Sequence, residues 1–177
     1  MRHSVHTRPP PDLSGLDSRL SPNSRPIARA RRQVVDWFED RGWKPFRFQR
    51  QAWNAYLLGG SGLIHATTGT GKTYAAWMGP IIEALAERMQ EKSKMAVTNV
   101  RKVKTSTNDP LRVLWLTPLR ALATDTLGSI LAPVIEFNLP WTIETRTSDT
   151  SSSTRSRQRR KLPTVLITTP ERAAGES

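Results

Sequence analysis

Eight consecutive residues carry the densest chemistry in the chain: Ala66, Thr67, Thr68, Gly69, Thr70, Gly71, Lys72 and Thr73. They follow the phosphate-loop pattern G-x-x-x-x-G-K-[ST] except at the first position, where Ala66 replaces glycine. Gly69 and Gly71 let the backbone curl, so that successive N–H groups converge on one anion. Lys72 adds a mobile ammonium for the β- and γ-phosphates of a nucleotide, and Thr73 a hydroxyl for Mg²⁺. A Gly-Lys-Thr tripeptide also occurs in chance turns. Here it follows an apolar stretch at 62–65 and opens an amphipathic one. This is the strand–loop–helix order that phosphate binding demands, and a helix starting at Lys72 directs the positive end of its dipole at the same point.

The surrounding pattern supplies the elements needed to hold such a loop. Apolar residues recur at helical spacing over 27–40, with Val34, Val35 and Phe38, and Gly42 ends that helix. A second helix is predicted over 47–58, carrying Phe48, Ala52, Trp53 and Tyr56, and Gly59 and Gly60 end it. Residues 62–65 read as a short buried strand and 72–88 as a helix. A further buried strand is predicted at 113–116, and others at 142–145 and 165–168. A helix is expected from Pro118, with Leu119, Leu122, Ala123 and Leu127, and a basic one over 155–161. Strands alternating with helices imply an α/β fold with a parallel sheet flanked by helices. Residues 1–26, rich in Pro, Ser and Arg, read as a disordered basic arm. Residues 27–177 then form one domain, with a flexible polar insertion at about 89–110.

Composition narrows the classes further. The 177 residues suffice for one domain with a core. The absence of cysteine excludes disulfides, thiolate metal sites and thiol catalysis. No apolar run is long enough to span a membrane, so no membrane partner is expected and a cytoplasmic location is. The net charge of +12 favours a polyanionic partner, although the arginines before Gln33 account for part of it.

Four motifs together resemble superfamily-2 DEAD/DEXH-box helicases. Ala66-x-x-Gly69-x-Gly71-Lys72-Thr73 resembles motif I. Phe48-Gln49, with Gln49 placed 23 residues before Lys72, resembles the Q motif. Thr117-Pro118-Leu119-Arg120-Ala121-Leu122 resembles motif Ia, and Thr169-Pro170-Glu171 resembles motif Ib. Trp43-Lys44-Pro45-Phe46, Leu63-Ile64-His65-Ala66, Leu139-Pro140-Trp141-Thr142 and the stretch from Arg146 to Ser152 look like the Lhr-like branch, in particular the ligase-associated DEXH-box DNA helicases. The resemblance covers about residues 34–171.

This resemblance implies a partial RecA-like domain and an ATP-dependent helicase of DNA repair. ATP and Mg would be held by Gln49, Thr68, Gly69, Thr70, Gly71, Lys72 and Thr73, with Lys72 and Thr73 the catalytic pair. Nucleic acid, single-stranded or tailed duplex DNA with RNA not excluded, would meet Thr117, Pro118, Arg120, Thr169 and Pro170. DNA ligase and repair proteins are partners implied by the family. Thr-Pro at two strand ends fits a backbone contact that positions a strand without reading its sequence. It equally fits plain helix capping. Gln49 reads as an adenine contact or as a solvated helix residue. The run Arg155, Arg157, Arg159, Arg160 and Lys161 reads as a nucleic-acid contact or a solvated face. Trp37, Trp53, Trp77 and Phe48 are expected in the core.

The sequence also departs from that pattern. Thr67 stands where the branch often has proline, and Ser148 where it often has glycine. No apolar strand is predicted to end in Asp-Glu, and no second RecA-like domain is expected within these residues. The resemblance is therefore to a helicase truncated within its first RecA-like domain. Two other readings stand beside it: a non-catalytic module binding nucleotide and nucleic acid, and another phosphate-loop enzyme such as a kinase. A kinase would carry a carboxylate where these strands end in Thr-Pro.

Overall fold

The computed structural model describes residues 4–8, 24–98 and 111–173. The chain forms two compact units, Met1–Arg101 and Lys102–Ser177.

The first unit contains β1 (Ser4–Arg8), α1 (Arg25–Glu39), α2 (Arg47–Leu57), β2 (Ser61–His65) and α3 (Lys72–Thr98). Ile27, Ala30, Val34, Trp37 and Phe38 recur every three or four residues along α1, and all are buried. Phe48, Ala52, Trp53 and Leu57 do the same on α2. Both helices pack on α3, whose Trp77, Met78, Ile81, Ile82 and Leu85 are fully buried. Trp37, Trp53, Trp77 and Phe48 are thus core residues, as expected. Gly79 permits the close approach of α2 and α3, since a Cβ there would lie 2.8 Å from the Tyr56 ring.

Three readings need correction in this unit. Ser4–Arg8, inside the arm read as disordered, form a strand antiparallel to β2, with Ser4 opposite His65. Backbone pairing needs no apolar signature, so the Pro-, Ser- and Arg-rich composition hid it. The remaining arm residues, 1–3 and 9–23, lie outside the described residues. The second correction is β2, expected to be buried in a parallel sheet. It forms a two-stranded antiparallel sheet and is largely exposed, with only Ile64 half-buried. Thirdly, α3 continues to Thr98 through the first part of the expected insertion. Met, Gln, Glu, Lys and Ala are good helix formers even without an apolar stripe. Residues 99–110 lie outside the described residues.

The second unit contains β3 (Val113–Leu116), α4 (Arg120–Glu136), β4 (Ile143–Arg146), α5 (Ser152–Arg160), β5 (Val165–Thr168) and α6 (Pro170–Ala173). Its sheet is parallel, in the order β3-β5-β4, and flanked by helices. The central strand β5 is wholly buried. β3 was expected to be buried but lies at an edge, and its Leu114 and Leu116 are exposed. α4 begins at Arg120, two residues later than expected, because Pro118 and Leu119 stay outside the helix.

Gln158 fixes α5 to β4. It is fully buried, its Oε1 accepts from Arg146 Nε at 3.0 Å, and its Nε2 donates to Glu144 Oε2 at 2.8 Å and to the Thr145 carbonyl at 3.2 Å. The Arg157 guanidinium spans both oxygens of Glu144, each at 3.1 Å.

Candidate nucleotide and nucleic-acid sites

In the first unit the loop between β2 and α3 turns at Gly69 (φ +77°) and Gly71 (φ +79°), both left-handed. Glycine is the residue that takes this conformation without steric cost. The expected curl is therefore present, and it delivers the chain into α3 at Lys72. Lys72 Nζ donates to the Ala66 and Thr67 carbonyls, each at 2.8 Å, and Thr70 Oγ1 donates to the Thr67 carbonyl at 2.7 Å. The ammonium thus sits inside the loop, held by oxygens that an incoming phosphate could replace. Thr68 and Gly69 are exposed, while Thr70, Gly71, Lys72 and Thr73 are half-buried.

Gln49 lies against this loop. It is buried at 2% exposure, which ends the solvated-residue reading. Its Oε1 accepts from the Phe46 N–H at 2.8 Å, forming half of a capping box at the start of α2. Phe46 has no side-chain oxygen, so the reciprocal half does not exist. Gln49 Nε2 donates to the Gly71 carbonyl at 3.0 Å. The amide retains one further N–H and one further lone pair.

Aromatic rings fix the other side of the helix start. Trp53 Nε1 donates to the Tyr74 carbonyl at 3.0 Å. The Tyr74 ring meets Trp37 and Phe38 edge-on, at 5.5 and 5.8 Å between centroids. The sequence reading missed this bracing. The only available signal was the recurrence of aromatics ahead of the loop, which by itself says core.

The residues present fit a nucleotide triphosphate: two left-handed glycines, a nearby ammonium and a helix start. A Cβ at Gly69 would meet nothing within 4 Å, so the loop is open on that side. For Mg²⁺ the fit is partial. Thr73 supplies one hydroxyl, and among the described residues no group of three or more His, Cys, Asp or Glu could hold a metal ion.

In the second unit the parallel strands end at one rim. Thr117 N donates to the Thr168 carbonyl at 2.9 Å, and Thr168 Oγ1 donates to the Arg146 carbonyl at 2.7 Å. Thr117 and Thr169 therefore stand on the same rim, followed by exposed Pro118 and Pro170. Both threonines are buried. The Thr117 hydroxyl donates to the Leu119 carbonyl at 3.1 Å. The Thr117 hydroxyl thus bonds within its own turn and does not cap α4. Glu171 is held below the usual carboxylate range, first by its own backbone N–H and then by Thr169. Pro170 does open a helix, as expected, whereas Pro118 precedes one.

Arg120 reaches across the rim to Asp149 Oδ1 at 2.7 Å and Ser148 Oγ at 2.9 Å. Both partners of this ion pair are exposed. Nothing in the motif comparison pointed to this pairing, because the residues lie 29 apart in sequence.

Comparison with known proteins agrees with the geometry. Residues 46–176 match the family DEAD/DEAH box helicase. The Lhr helicase/uracil glycosylase of Escherichia coli K12 is 31% identical over 148 residues, 77% of this chain and 9% of that protein. The ATP-dependent helicase Lhr-Core of Sulfolobus acidocaldarius is 33% identical over 146 residues, 78% of this chain and 15% of that protein. A solved structure of Mycobacterium smegmatis helicase Lhr bound to ssDNA and AMP-PNP aligns with TM-score 0.49 and 26% identity, covering 84% of this chain and 17% of that one. The chain thus spans about a tenth to a sixth of the length of these curated relatives. Its parallel sheet, flanking helices and phosphate-loop pattern are those of a partial RecA-like helicase domain, and the chain belongs to the DEAD/DEAH box helicase family, with similarity to Lhr helicases.

Proposed function

We propose that this chain is the nucleotide-binding front part of an ATP-dependent DNA helicase, gripping ATP–Mg through residues 66–73 and single-stranded nucleic acid through the rim at Thr117 and Thr169. The observation that carries the first half is the loop itself, with Gly69 and Gly71 left-handed and Lys72 folded in beside them. On binding, Lys72 Nζ exchanges the Ala66 and Thr67 carbonyls for β- and γ-phosphate oxygens. The loop amides would donate to the same phosphates, and the Thr73 hydroxyl would be the residue to hold the metal. Mg²⁺, when bound, neutralises charge on the phosphates. Gln49 holds Gly71 in place and presents its remaining N–H and lone pair to the adenine edge.

Lys72→Ala tests this reading by nucleotide titration. Loss of one charge-assisted contact is expected to weaken ATP binding by roughly 10- to 100-fold, equivalent to about 1.5–3 kcal/mol. Unchanged affinity overturns the assignment.

At the nucleic-acid rim Arg120 supplies charge, and the exposed ends after Thr117 and Thr169 meet the sugar-phosphate backbone. Exchange of the Thr117 hydroxyl's bond to the Leu119 carbonyl for a phosphate oxygen is the change required at Thr117. These 177 residues contain no Asp-Glu dipeptide. They therefore hold nucleotide without a carboxylate to orient the attacking water, and without an arginine finger, itself typically worth about 10³–10⁵ in rate. ATP turnover by this chain alone is expected to be negligible, and duplex unwinding absent. Robust DNA-stimulated turnover by the purified chain would contradict that expectation. DNA ligase and other repair proteins are proposed as partners of the full motor, on the resemblance to ligase-associated helicases.

A further inference from the structure

The basic end of α5 is not used by either site. α5 leaves the rim after β4 and returns to the start of β5, so its last turn lies at the edge where the parallel strands begin. A four-residue strand spans about 13 Å, which separates this edge from Thr117 and Thr169. The last turn carries Arg157, Arg159 and Arg160, and Lys161 follows. Arg157 is committed to Glu144, and buried Gln158 locks the helix to β4. Arg159, Arg160 and Lys161 are exposed, and among the described residues none of the three has a carboxylate within ion-pair distance. Exposed Arg112, just before β3, stands at the same edge.

A helix C-terminus carries only about half a negative charge, and Arg157 already stands near it. Three further cations without partners exceed what the helix end calls for. The Gln158 and Arg157 bonds tie α5 to β4, so the backbone that carries these charges is anchored to the sheet. α5 itself reads SSTRSRQRR and offers no aromatic ring on which an unpaired base could stack. Cations on an anchored helix without a stacking surface match the regular phosphates of a duplex, whose charge recurs about every 1.7 Å of axis.

We propose that Arg159, Arg160 and Lys161 form a second nucleic-acid contact, which takes the phosphate backbone of duplex DNA adjoining a single strand held at the Thr117–Thr169 rim. The inference rests on the nucleic-acid reading of that rim, and the experiment separates the two. The full 177-residue chain is titrated against a fluorescent tailed duplex and against single-stranded DNA of the tail sequence, by anisotropy, between about 50 and 200 mM salt.

In Arg159→Ala/Arg160→Ala/Lys161→Ala the slope of log affinity against log salt on the tailed duplex is expected to flatten by roughly 2–3, about 0.9 per lost phosphate contact. The fall in affinity over that salt range then shrinks by about 15- to 60-fold. Binding to the single strand stays at the wild-type level. Arg159→Lys/Arg160→Lys, which keeps the charge, retains the wild-type slope. A wild-type slope in the triple variant overturns the proposal, as does an equal loss on the single strand. Displacement of the tailed duplex by poly-L-glutamate as readily as by unlabelled DNA, at equal charge, assigns the surface to acidic proteins and also overturns it. Thr117→Val/Thr169→Val reports on the rim independently. If it leaves single-strand binding intact while the triple variant still flattens the duplex slope, the rim reading fails and the α5 contact stands.

Discussion

Gly71→Ala is expected to damage the nucleotide loop in two separable ways. Gly71 has φ +79°, where an L side chain costs roughly 1–2 kcal/mol. Its Cβ would also lie 2.7 Å from Gln49 Nε2, the group that donates to the Gly71 carbonyl. Gln49 is buried and cannot swing out to water. Losing its bond leaves a buried donor unmet, at a cost of about 1–3 kcal/mol. The two together amount to about 2–5 kcal/mol. Gly69→Ala is the control. It shares the left-handed backbone, at φ +77°, but nothing lies within 4 Å of its Cβ, so only the cost of about 1–2 kcal/mol remains. The assay is urea unfolding followed by tryptophan fluorescence, with midpoints compared at constant slope. Gln49→Ala combined with Gly71→Ala removes the collision, and the pair is expected to cost less than the sum of its members. Equal destabilisation by the two glycine substitutions refutes the claim that Gln49 braces the loop.

Other outcomes follow from neighbouring geometry. Asp149→Asn releases Arg120 and is expected to raise single-strand affinity by about 2- to 10-fold with little change in stability, because exposed pairs contribute about 0–1 kcal/mol; anisotropy and thermal melting check both halves. Gly79→Ala gains up to about 1 kcal/mol of helix propensity but forces a Cβ to 2.8 Å from the Tyr56 ring. Overpacking of this kind costs roughly 1–3 kcal/mol, so a net loss of melting temperature is expected. The Glu171 carboxyl is lowered by its own N–H and then by Thr169. Its small contribution is therefore present above the ordinary carboxylate range and lost as pH falls through the lowered value. In an NMR titration its midpoint lies below an ordinary glutamate's, and Thr169→Val moves it upward.

The phosphate loop was legible because its chemistry is local: two glycines, a lysine and a threonine in five residues, between a strand and a helix. β5 was legible for a similar reason, since four apolar or β-branched residues wholly buried in a parallel sheet leave a continuous signature. What escaped the reading depends on contacts across the chain. Gln49 meets Gly71 over 22 residues and Arg120 meets Asp149 over 29, and neither pairing has a local pattern. The pairing of β1 with β2 is made by backbone groups that every residue carries. The Thr-Pro motifs stand at two strand ends, but the burial of both threonines and the turns that start one helix at Arg120 and the other at Pro170 have no local signature.

The position of β5 between β3 and β4 also has a consequence for synthesis. β5 follows both β3 and β4 in the chain, so neither of these strands has this partner until Thr168 has emerged. Val165 then lies 22 residues from Ile143 but 52 from Val113. Closing the longer loop costs about 0.8 kcal/mol more by the logarithmic length dependence. The β4–α5–β5 crossover is accordingly expected to assemble first, with β3 waiting as a nascent apolar segment that a chaperone could cover.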